Sequence, residues 1–191
     1  GEPLLETKEI LIPGTHNIEN YMAAIALVEG LATDDAIRQV ARNFGGVEHR
    51  IELVRVKDGV RYYNDSIASS PSRTIAGLRS FPEKVILIAG GYDKHIPYDV
   101  LGPEICAHVK KLFLGGATGP KIRAAVENAP EYLPGAPEIV DCGDFTQATL
   151  AAAQAAEPGD VVLMSPASAA FDQFKNFMVR GQYFKKLIKE L

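Results

Sequence analysis

The sequence predicts a protein of the α/β class, with a mostly parallel sheet flanked by helices and an antiparallel hairpin at its start. Short apolar runs alternate with helical segments over most of the chain, and the runs begin about 22 to 27 residues apart. This spacing is typical of β-α-β units, which build parallel sheets. The hairpin is predicted by Asp58-Gly59, a favoured two-residue turn, which separates two runs rich in β-branched and aromatic residues.

Composition excludes several functional classes. The 191 residues include 20 basic and 24 acidic side chains, a net charge of −4, so the basic surface of a nucleic-acid-binding protein is not expected. No apolar run reaches the roughly 18 residues of a membrane span, and no basic-then-apolar leader is seen. Cys106 and Cys142 match no metal-ligand spacing and are predicted to be buried, reduced thiols. We therefore expect a cytoplasmic protein without nucleic-acid or membrane partners.

Residues 1–46 are predicted to form the end of a domain whose main part is missing. An apolar run at residues 10–13 predicts a strand, and apolar residues at helical spacing predict a helix that ends near Gly30. Thr33 is a good N-cap for a second helix, which Gly45-Gly46 end. One strand and two helices do not make a domain.

Residues 47–191 are predicted to form one complete domain. Ser70 caps a helix that begins at Pro71, a residue type favoured at the first helical position. The later strands are predicted to be buried on both faces, because they are short, continuous apolar runs. The predicted strands span residues 51–57, 60–64, 85–89, 112–114, 138–141 and 161–164. The predicted helices span about residues 98–110, 120–129 and 144–156, with two more from residue 171 to the end.

Ligands of an open parallel sheet bind beyond the carboxyl ends of its strands. In this chain those ends carry polar residues and glycines, including the loop from Gly90 to Lys94 and the pair Gly115-Gly116. The glycines are also consistent with ordinary turns. Lys94 is consistent with a solvated surface residue or with a cation that binds a phosphate or carboxylate. The loop is neither a dinucleotide fingerprint nor a P-loop, so the chain alone gives little support for either kind of nucleotide site.

Asn17 and Asn20 are three residues apart, so their amides lie on one helix face. An amide offers a hydrogen-bond donor and an acceptor together, which suits the edge of an adenine. Asn17 is also a residue type favoured as a helix cap. From the spacing alone, the capping role is the better-supported interpretation.

Five blocks of the sequence, taken in order, resemble the closing blocks of the Mur ligases. The resemblance runs from Gly14 to Leu191. The last block, with Ser165-Pro166 and Arg180-Gly181, is most similar to that of the members that add D-glutamate. The blocks are GTHNIENYMAAIA, EHRIELV, VRYYNDSIASSPSRTIAGL, ILIAGGYDK and LMSPASAAFDQFKNFMVRGQYF.

The resemblance implies that the chain is part of a three-domain enzyme. Residues 1–46 would be the C-terminal end of the central ATPase domain, and residues 47–191 the C-terminal Rossmann-like domain that binds the amino acid. The uridine-nucleotide domain, the P-loop and the carboxylates that bind Mg2+ would all precede Gly1. The chain alone is therefore expected to be inactive.

The implied activity is the ATP-dependent addition of D-glutamate to UDP-N-acetylmuramoyl-L-alanine during peptidoglycan precursor synthesis. ATP would phosphorylate the substrate carboxylate, and the amine of D-glutamate would attack the resulting acyl phosphate. Both steps need positioned reactants and neutralised phosphate charge rather than an unusual nucleophile. The expected ligands of the full-length enzyme are thus ATP, Mg2+, D-glutamate and UDP-N-acetylmuramoyl-L-alanine.

The resemblance also assigns roles to eight residues of this chain, none of them a metal ligand. Lys94 and Arg50 are expected to take part in catalysis, and a guanidinium suits phosphates through its fixed fork of donors. The residues placed at ATP are Asn17 and Asn20 near the adenine, Asp65 at the ribose hydroxyls and Arg50 at the phosphates. The residues placed at D-glutamate are Ser69 through a hydrogen bond, Lys94 through a carboxylate, Phe171 through its backbone amide and Phe177 through packing.

Two positions depart from the pattern of the resemblance. Many Mur ligases have a lysine where this chain has Ile67, and many have a serine where it has Ala170. One cation and one hydroxyl are therefore missing from the expected site. Arg73 and Arg61 are candidates to replace the lost charge.

Two other functions are compatible with the sequence. One is a stand-alone, Rossmann-like binding module without catalysis. The other is a related ligase for a different amino acid, such as a folylpolyglutamate synthase or a Mur ligase that adds diaminopimelate or lysine. A P-loop encoded upstream would distinguish a ligase from a binding module. The Asp/Asn-Asn/Asp-Pro-Arg type of block found in diaminopimelate-adding enzymes is not seen.

Overall fold

The structure is a computed structural model that describes residues 3–12 and 14–191, apart from the side chain of His16. The chain divides into two compact units, one that extends to Val47 and one from Glu48 to Leu191. The sequence-based boundary, between residues 46 and 47, lies one residue earlier. Among the described residues no helix combines the length and apolar character needed to cross a bilayer.

The first unit is helical in its described part. It contains a 3-10 turn at Thr7–Glu9, helix α1 at Thr15–Leu27 and helix α2 at Asp34–Asn43. The predicted N-cap of α2 is confirmed, because the Thr33 hydroxyl accepts a hydrogen bond from Ala36 N at 3.3 Å. The strand predicted at residues 10–13 is wrong for residues 10–12, and Pro13 lies outside the described residues. Leu11 N donates instead to the carbonyl of Ala41 in α2, so its backbone is paired with a helix end rather than a neighbouring strand.

The second unit contains one six-stranded sheet and five helices among its described residues. The sheet order is β1-β2-β6-β3-β4-β5, in which only the β1–β2 pair is antiparallel. The predicted α/β class with a mostly parallel sheet is confirmed. The strands are β1 (Glu52–Lys57), β2 (Val60–Asn64), β3 (Val85–Ala89), β4 (Val109–Gly115), β5 (Glu138–Gly143) and β6 (Val161–Met164). The helices are α3 (Pro71–Leu78), α4 (Leu101–His108), α5 (Gly119–Glu127), α6 (Phe145–Gln154) and α7 (Phe177–Glu190).

The sheet is packed on both faces, as the continuous apolar strands require. Alternate residues of β3 enter different layers, because side chains of a strand point to opposite faces in turn. Leu87 belongs to the layer covered by α3, α4 and α5, whereas Ile86 and Ile88 belong to the layer covered by α6 and α7. The two layers fix the carboxyl ends of the central strands at one edge of a rigid core.

Several predicted elements differ from the structure in their bounds, burial or number. Helix α4 ends at His108 and β4 begins at Val109, three residues before the predicted strand, because Lys110 and Lys111 lie within β4 and interrupt its apolar pattern. Strand β5 is only partly buried, since it forms the edge of the sheet. The two helices predicted after residue 171 are one, α7, which begins where the side chain of Asn176 accepts a hydrogen bond from Val179 N.

The two cysteines are free thiols, as predicted, but only Cys106 is buried. Cys142 is half-buried because it lies on the edge strand β5. Burial raises the pKa of both thiols, which favours their protonated and unreactive form.

Candidate functional site

The loops that follow β2, β6 and β3 are joined to one another at the carboxyl edge of the sheet. Ser165, which follows β6, donates through its hydroxyl to Asp65 Oδ2 at 2.7 Å, and Asp65 follows β2. Gly90, which follows β3, donates its N–H to the carbonyl of Pro166 at 2.9 Å. Because the sheet places β6 between β2 and β3, the Ser165-Pro166 segment connects the two outer loops. This is the edge at which the sequence predicted a ligand site.

Hydrogen bonds among buried hydroxyl groups also connect the loops at this edge of the sheet. The Ser168 hydroxyl lies 2.8 Å from the hydroxyls of both Tyr98 and Thr118. Thr118 Oγ1 also accepts from Gly91 N at 3.0 Å, which extends the connection to the loop after β3. Gly90 is required at the start of this loop, since its φ is +111° and an added Cβ would lie 1.9 Å from the carbonyl oxygen of Gly115.

Arg180 on α7 is the most deeply buried cation of this region, with 1% of its surface exposed. Its guanidinium donates to the Ser66 hydroxyl and to the carbonyls of Ser66, Ser168 and Ala169, at 2.9 to 3.1 Å. Ser66 Oγ in turn donates to the carbonyl of Phe177 at 2.8 Å. Arg180 thus fixes the loops after β2 and β6 to the first turn of α7. Burial lowers the pKa of Arg180 to about 10, so the group keeps its charge at neutral pH.

Asp65 is buried rather than presented to solvent. Its side chain is 3% exposed, and Oδ1 accepts from Ile51 N at 3.3 Å while Oδ2 accepts from Ser165. Desolvation raises the pKa of Asp65 to about 7, against the opposing effects of the Ser165 and Ile51 hydrogen bonds. Both oxygens are therefore engaged inside the domain, and the predicted contact of Asp65 with ribose hydroxyls stays a prediction.

Arg50 lies on a tight turn between two residues with positive φ, His49 at 67° and Ile51 at 45°. His49 is buried and its Nδ1 lies 2.9 Å from the Asn64 amide nitrogen, which acts as the donor. Ile51 is buried as well, whereas the Arg50 side chain is exposed. The two buried neighbours fix the turn, and Arg50 is the residue that it presents to solvent.

The residues predicted to surround the amino acid all lie at or beside this edge of the sheet. Lys94 is exposed, and among the described residues its ammonium has no hydrogen-bond or ion-pair partner. Ser69 is half-buried in the loop before α3, and its N–H donates to the carbonyl of Ile67 at 2.8 Å. Phe177 begins α7 and meets His49 edge to face, with ring centroids 5.9 Å apart. Their roles at the amino acid stay predictions.

Phe171 lies after β6 and forms an exposed aromatic pair with Tyr92. The two ring centroids are 5.9 Å apart in a T-shaped arrangement, and the side chains are 61% and 43% exposed. Tyr92 also bridges to Ala169 through the backbone, with Tyr92 N donating to Ala169 O at 2.9 Å. The pair connects the loop that carries Lys94 with the loop that carries Phe171.

Asn17 and Asn20 belong to the first unit. Both lie within α1 on one face, as predicted, and Asn20 Nδ2 donates to Asn17 Oδ1 at 3.3 Å. The alternative in which Asn17 caps the helix is wrong, because the N-cap is Gly14. Asn17 is 6% exposed. The proposed adenine contacts of these two amides stay predictions.

The structure distinguishes the two arginines that were candidates to replace a missing cation. Arg61 is occupied by an ion pair with Glu83. Arg73 is exposed, and its Nη1 donates to the carbonyl of Ile67 at 3.1 Å. The guanidinium of Arg73 is therefore bonded to the backbone of Ile67, the residue that stands where many Mur ligases have a lysine. Ala170 is 2% exposed and adds no polar group.

One cluster among the described residues has the side chains of a metal site, Glu48, His49 and Glu52. Both carboxylates form ion pairs with Lys185, so a cation of the protein already occupies the cluster. Glu52 Oε2 also accepts from Asn64 Nδ2 at 3.0 Å. Mg2+ prefers octahedral oxygen ligands, which this arrangement does not offer.

Comparison with known proteins identifies the family. Residues 49–168 match the sequence profile described as "Mur ligase, glutamate ligase domain". The chain belongs to the Mur ligase family. It is 53% identical over 190 residues to the UDP-N-acetylmuramoylalanine--D-glutamate ligase of Acetivibrio thermocellus and 50% identical over 190 residues to that of Ruminiclostridium cellulolyticum. Each alignment covers 98% of this chain but 41% of the relative, so the chain spans about two fifths of the length of these Mur ligases.

Solved structures share the fold at low sequence identity. The structure of Escherichia coli FolC in complex with ADP matches 99% of this chain and 41% of its own, with a TM-score of 0.62 and 17% identity. A Mycobacterium tuberculosis folylpolyglutamate synthase complexed with ADP and AMPPCP matches 91% of this chain and 41% of its own, with a TM-score of 0.63 and 14% identity. At these identities the likeness shows the shared fold alone.

Proposed function

We propose that the chain is the C-terminal part of an ATP-dependent ligase that adds D-glutamate to UDP-N-acetylmuramoyl-L-alanine. The observation that carries the proposal is the 53% identity, over nearly the whole chain, to a ligase of that name. Lys94 is exposed at the carboxyl edge of the sheet, and its ammonium is unpaired among the described residues, which is consistent with the proposal. In this proposal the protein works in the cytoplasm, in the synthesis of cell-wall precursors.

The proposal divides the full-length enzyme among its domains. Residues 1–46 complete the central ATPase domain, and residues 47–191 form the Rossmann-like domain that binds the amino acid. Asn17 and Asn20 contact adenine, Asp65 the ribose and Arg50 the phosphates. The residues that bind D-glutamate are Ser69, Lys94, Phe171 and Phe177.

The reaction is proposed to proceed through an acyl phosphate. A carboxylate oxygen of UDP-N-acetylmuramoyl-L-alanine attacks the γ-phosphorus of ATP, and ADP leaves with the electron pair of the broken P–O bond. The deprotonated amine of D-glutamate then attacks the acyl carbon, loses its second proton as the amide forms, and inorganic phosphate leaves. Arg50 offers a guanidinium to the phosphate charge, and Lys94 holds a carboxylate of D-glutamate so that its amine faces the acyl carbon.

Mg2+ would screen the ATP phosphates during the first step, but the described residues do not fit a site for it. The carboxylates of Glu48 and Glu52 are paired with Lys185, and Asp65 is buried with both oxygens engaged. We therefore derive no step through the metal for this chain. Its ligands are proposed to lie in the part of the enzyme that precedes Gly1.

The proposal is tested by the substrate requirements of the full-length protein. Phosphate release should require ATP, D-glutamate and UDP-N-acetylmuramoyl-L-alanine together, because the acyl phosphate forms on one substrate and is consumed by another. Each omission should reduce the rate to background. A full-length protein that binds these ligands but releases no phosphate would support a binding module without catalysis instead.

A further inference from the structure

The exposed arginines of the second unit differ in how their charge is used. Arg61 pairs with Glu83, and Arg79 pairs with Glu104. Arg73 is exposed, yet within the described part of the chain it forms no ion pair, and its one hydrogen bond goes to the carbonyl of Ile67. A guanidinium has five N–H donors, so Arg73 keeps a charge and most of its donors available.

The single hydrogen bond of Arg73 places it on the loop that carries Ser69. The Ile67 carbonyl accepts from both Arg73 Nη1 and Ser69 N, at 3.1 and 2.8 Å. The same loop is closed by Ala68 N, which donates to the carbonyl of Asp65 at 2.9 Å. Arg73 itself lies in the first turn of α3, a rigid element that begins at Pro71. The guanidinium is thus held at the carboxyl end of β2.

Lys94, whose ammonium also forms no ion pair within the part of the chain that the structure describes, lies at the carboxyl end of β3. Its loop is fixed by Asp93, whose Oδ1 accepts from His95 N at 2.8 Å and whose Oδ2 pairs with Lys121 at 2.6 Å. One strand, β6, separates β2 from β3. Neighbouring strands are about 4.8 Å apart, so the two loops start roughly 10 Å from each other. The arginine and lysine side chains are long enough to reach the same small ligand across this distance.

Building on the proposed function, we propose that Arg73 and Lys94 each bind one of the two carboxylates of the incoming amino acid. A dicarboxylic amino acid carries two negative charges. Arg73 and Lys94 are exposed cations at this edge of the sheet that form no ion pair among the described residues, and a third such cation, Arg50, is already proposed to bind the phosphates. Arg73 is then a specificity-determining residue, because it favours a dicarboxylate over an amino acid with one carboxylate. The Ser69 hydroxyl, on the loop to which Arg73 is bonded, lies beside the same carboxylate.

The first test compares Arg73→Gln with Arg79→Gln in the full-length enzyme. Arg79 is also exposed and follows the same helix, but its charge is used by Glu104, so it serves as a matched control. Arg73→Gln should raise the KM for D-glutamate about 10- to 100-fold and leave the KM for ATP unchanged, since the pair is charge-assisted. Arg79→Gln should change neither value. Arg73→Lys should restore part of the affinity, because it returns the charge without the fork.

The second test asks which carboxylate Arg73 binds. D-glutamine and D-isoglutamine each replace one carboxylate with a neutral amide. The wild-type enzyme should discriminate against both, whereas Arg73→Gln should lose its discrimination against one and Lys94→Ala against the other. Loss of discrimination against the same analogue in both variants would overturn the assignment of one cation to each carboxylate.

The remaining outcomes separate this inference from the function on which it rests. If the wild-type enzyme does not ligate D-glutamate, the proposed function fails and the inference fails with it. If the wild type is active but Arg73→Gln behaves like Arg79→Gln, only the inference is overturned. A raised KM for ATP in Arg73→Gln would assign Arg73 to a phosphate and would also overturn the inference. If Arg73→Gln is inactive, the Arg73→Lys variant decides. A rate that saturates with rising D-glutamate concentration in Arg73→Lys supports the inference, and a rate that does not saturate overturns it.

Discussion

Lys94 combines a fixed backbone with an ammonium that has no partner among residues 3–12 and 14–191 as described. Asp93 holds the loop through His95 N and Lys121, while the ammonium of Lys94 extends into solvent. A charge-assisted hydrogen bond between an ammonium and a carboxylate is worth about 1.5–3 kcal/mol. Such a contact is strong enough to determine the affinity for an amino acid.

Replacing Lys94 by alanine should therefore raise the KM for D-glutamate about 10- to 100-fold, since 1.4 kcal/mol corresponds to a factor of ten. The KM for ATP should change little, because the proposed adenine and ribose contacts lie on other residues. Steady-state kinetics of the full-length enzyme measure both constants, with Lys186→Ala on the exposed face of α7 as the control. Equal effects of Lys94→Ala on the two substrates would assign Lys94 to the phosphates instead.

Asp65 makes folding stability depend on pH. Its pKa is raised by burial from 3.8 to about 7, so the folded state binds a proton that the unfolded state releases near pH 4. The stability contributed by this proton is complete below pH 3.8 and is lost as the pH rises through 7. Asparagine has nearly the same shape and carries no charge. Its Oδ1 can accept from Ile51 N, and its Nδ2 can donate to the Ser165 hydroxyl, which in turn donates to Thr74 Oγ1.

When the pH is raised from 5 to 8, the wild type should therefore lose a few kcal/mol in its free energy of unfolding that the Asp65→Asn variant does not lose. Urea unfolding of both proteins at the two pH values measures this difference. The exposed Asp99→Asn variant is the control and should follow the wild type. If the wild type and Asp65→Asn lose the same stability over this range, Asp65 is already ionised at pH 5 in the folded protein.

At the scale of elements, Arg180 anchors the beginning of α7 to the edge of the sheet. Arg180 supplies four hydrogen bonds to the loops after β2 and β6, and Gly181 beside it leaves room for His49. A Cβ at Gly181 would lie 2.2 Å from His49 Nδ1. The Arg180-Gly181 pair thus positions the beginning of α7, where Phe177 lies.

Arg180→Met should destabilise the protein by about 3–5 kcal/mol, because it leaves buried carbonyls without donors. Arg79→Met removes an exposed ion pair and should cost at most about 1 kcal/mol. Chemical unfolding of the two variants gives the comparison. Equal, small losses would mean that water replaces the guanidinium of Arg180 without cost.

Central elements of the sheet were easier to predict than peripheral ones. Strands β3 and β6 have the predicted bounds, since every residue in them is buried and the apolar signal is continuous. The start of β4 was misplaced because Lys110 and Lys111 interrupt the apolar pattern although their backbones belong to the sheet. Their ammonium groups form ion pairs with Asp160 and Glu138. Ladder pairing, which sequence pattern does not report, decides such boundaries.

Sequence and structure contribute different parts of the candidate site. Lys94 was singled out as a loop lysine after a strand, whereas Arg50 was assigned through the resemblance to the Mur ligases, and both roles stay predictions. His49 and Arg180 were not assigned roles, because only the fold shows that they are buried and that they hold the loops. Buried polar residues in the blocks EHRIELV and MVRGQYF were the available signal.

At the scale of the molecule, the two units differ in how completely they bury apolar surface. The second unit packs both faces of its sheet, whereas the first leaves Leu27 80% and Leu31 85% exposed. Large exposed apolar residues are typical of a surface that another part of a protein covers. The difference supports the proposal that residues 1–46 complete a larger domain of the full-length enzyme.

The central claim is that this chain supplies the D-glutamate site of a ligase whose ATPase machinery lies elsewhere in the enzyme. Mass spectrometry of the reaction products tests it most directly, with UDP-N-acetylmuramoyl-L-alanine, ATP and, in turn, D-glutamate, L-glutamate, L-lysine or diaminopimelate. Of the four amino acids, only D-glutamate should give a product with the full-length enzyme, heavier than the substrate by one glutamate residue. The 191-residue chain should give no product with any of them. Ligation of another amino acid in preference to D-glutamate, or product formation by the 191-residue chain, would contradict the account.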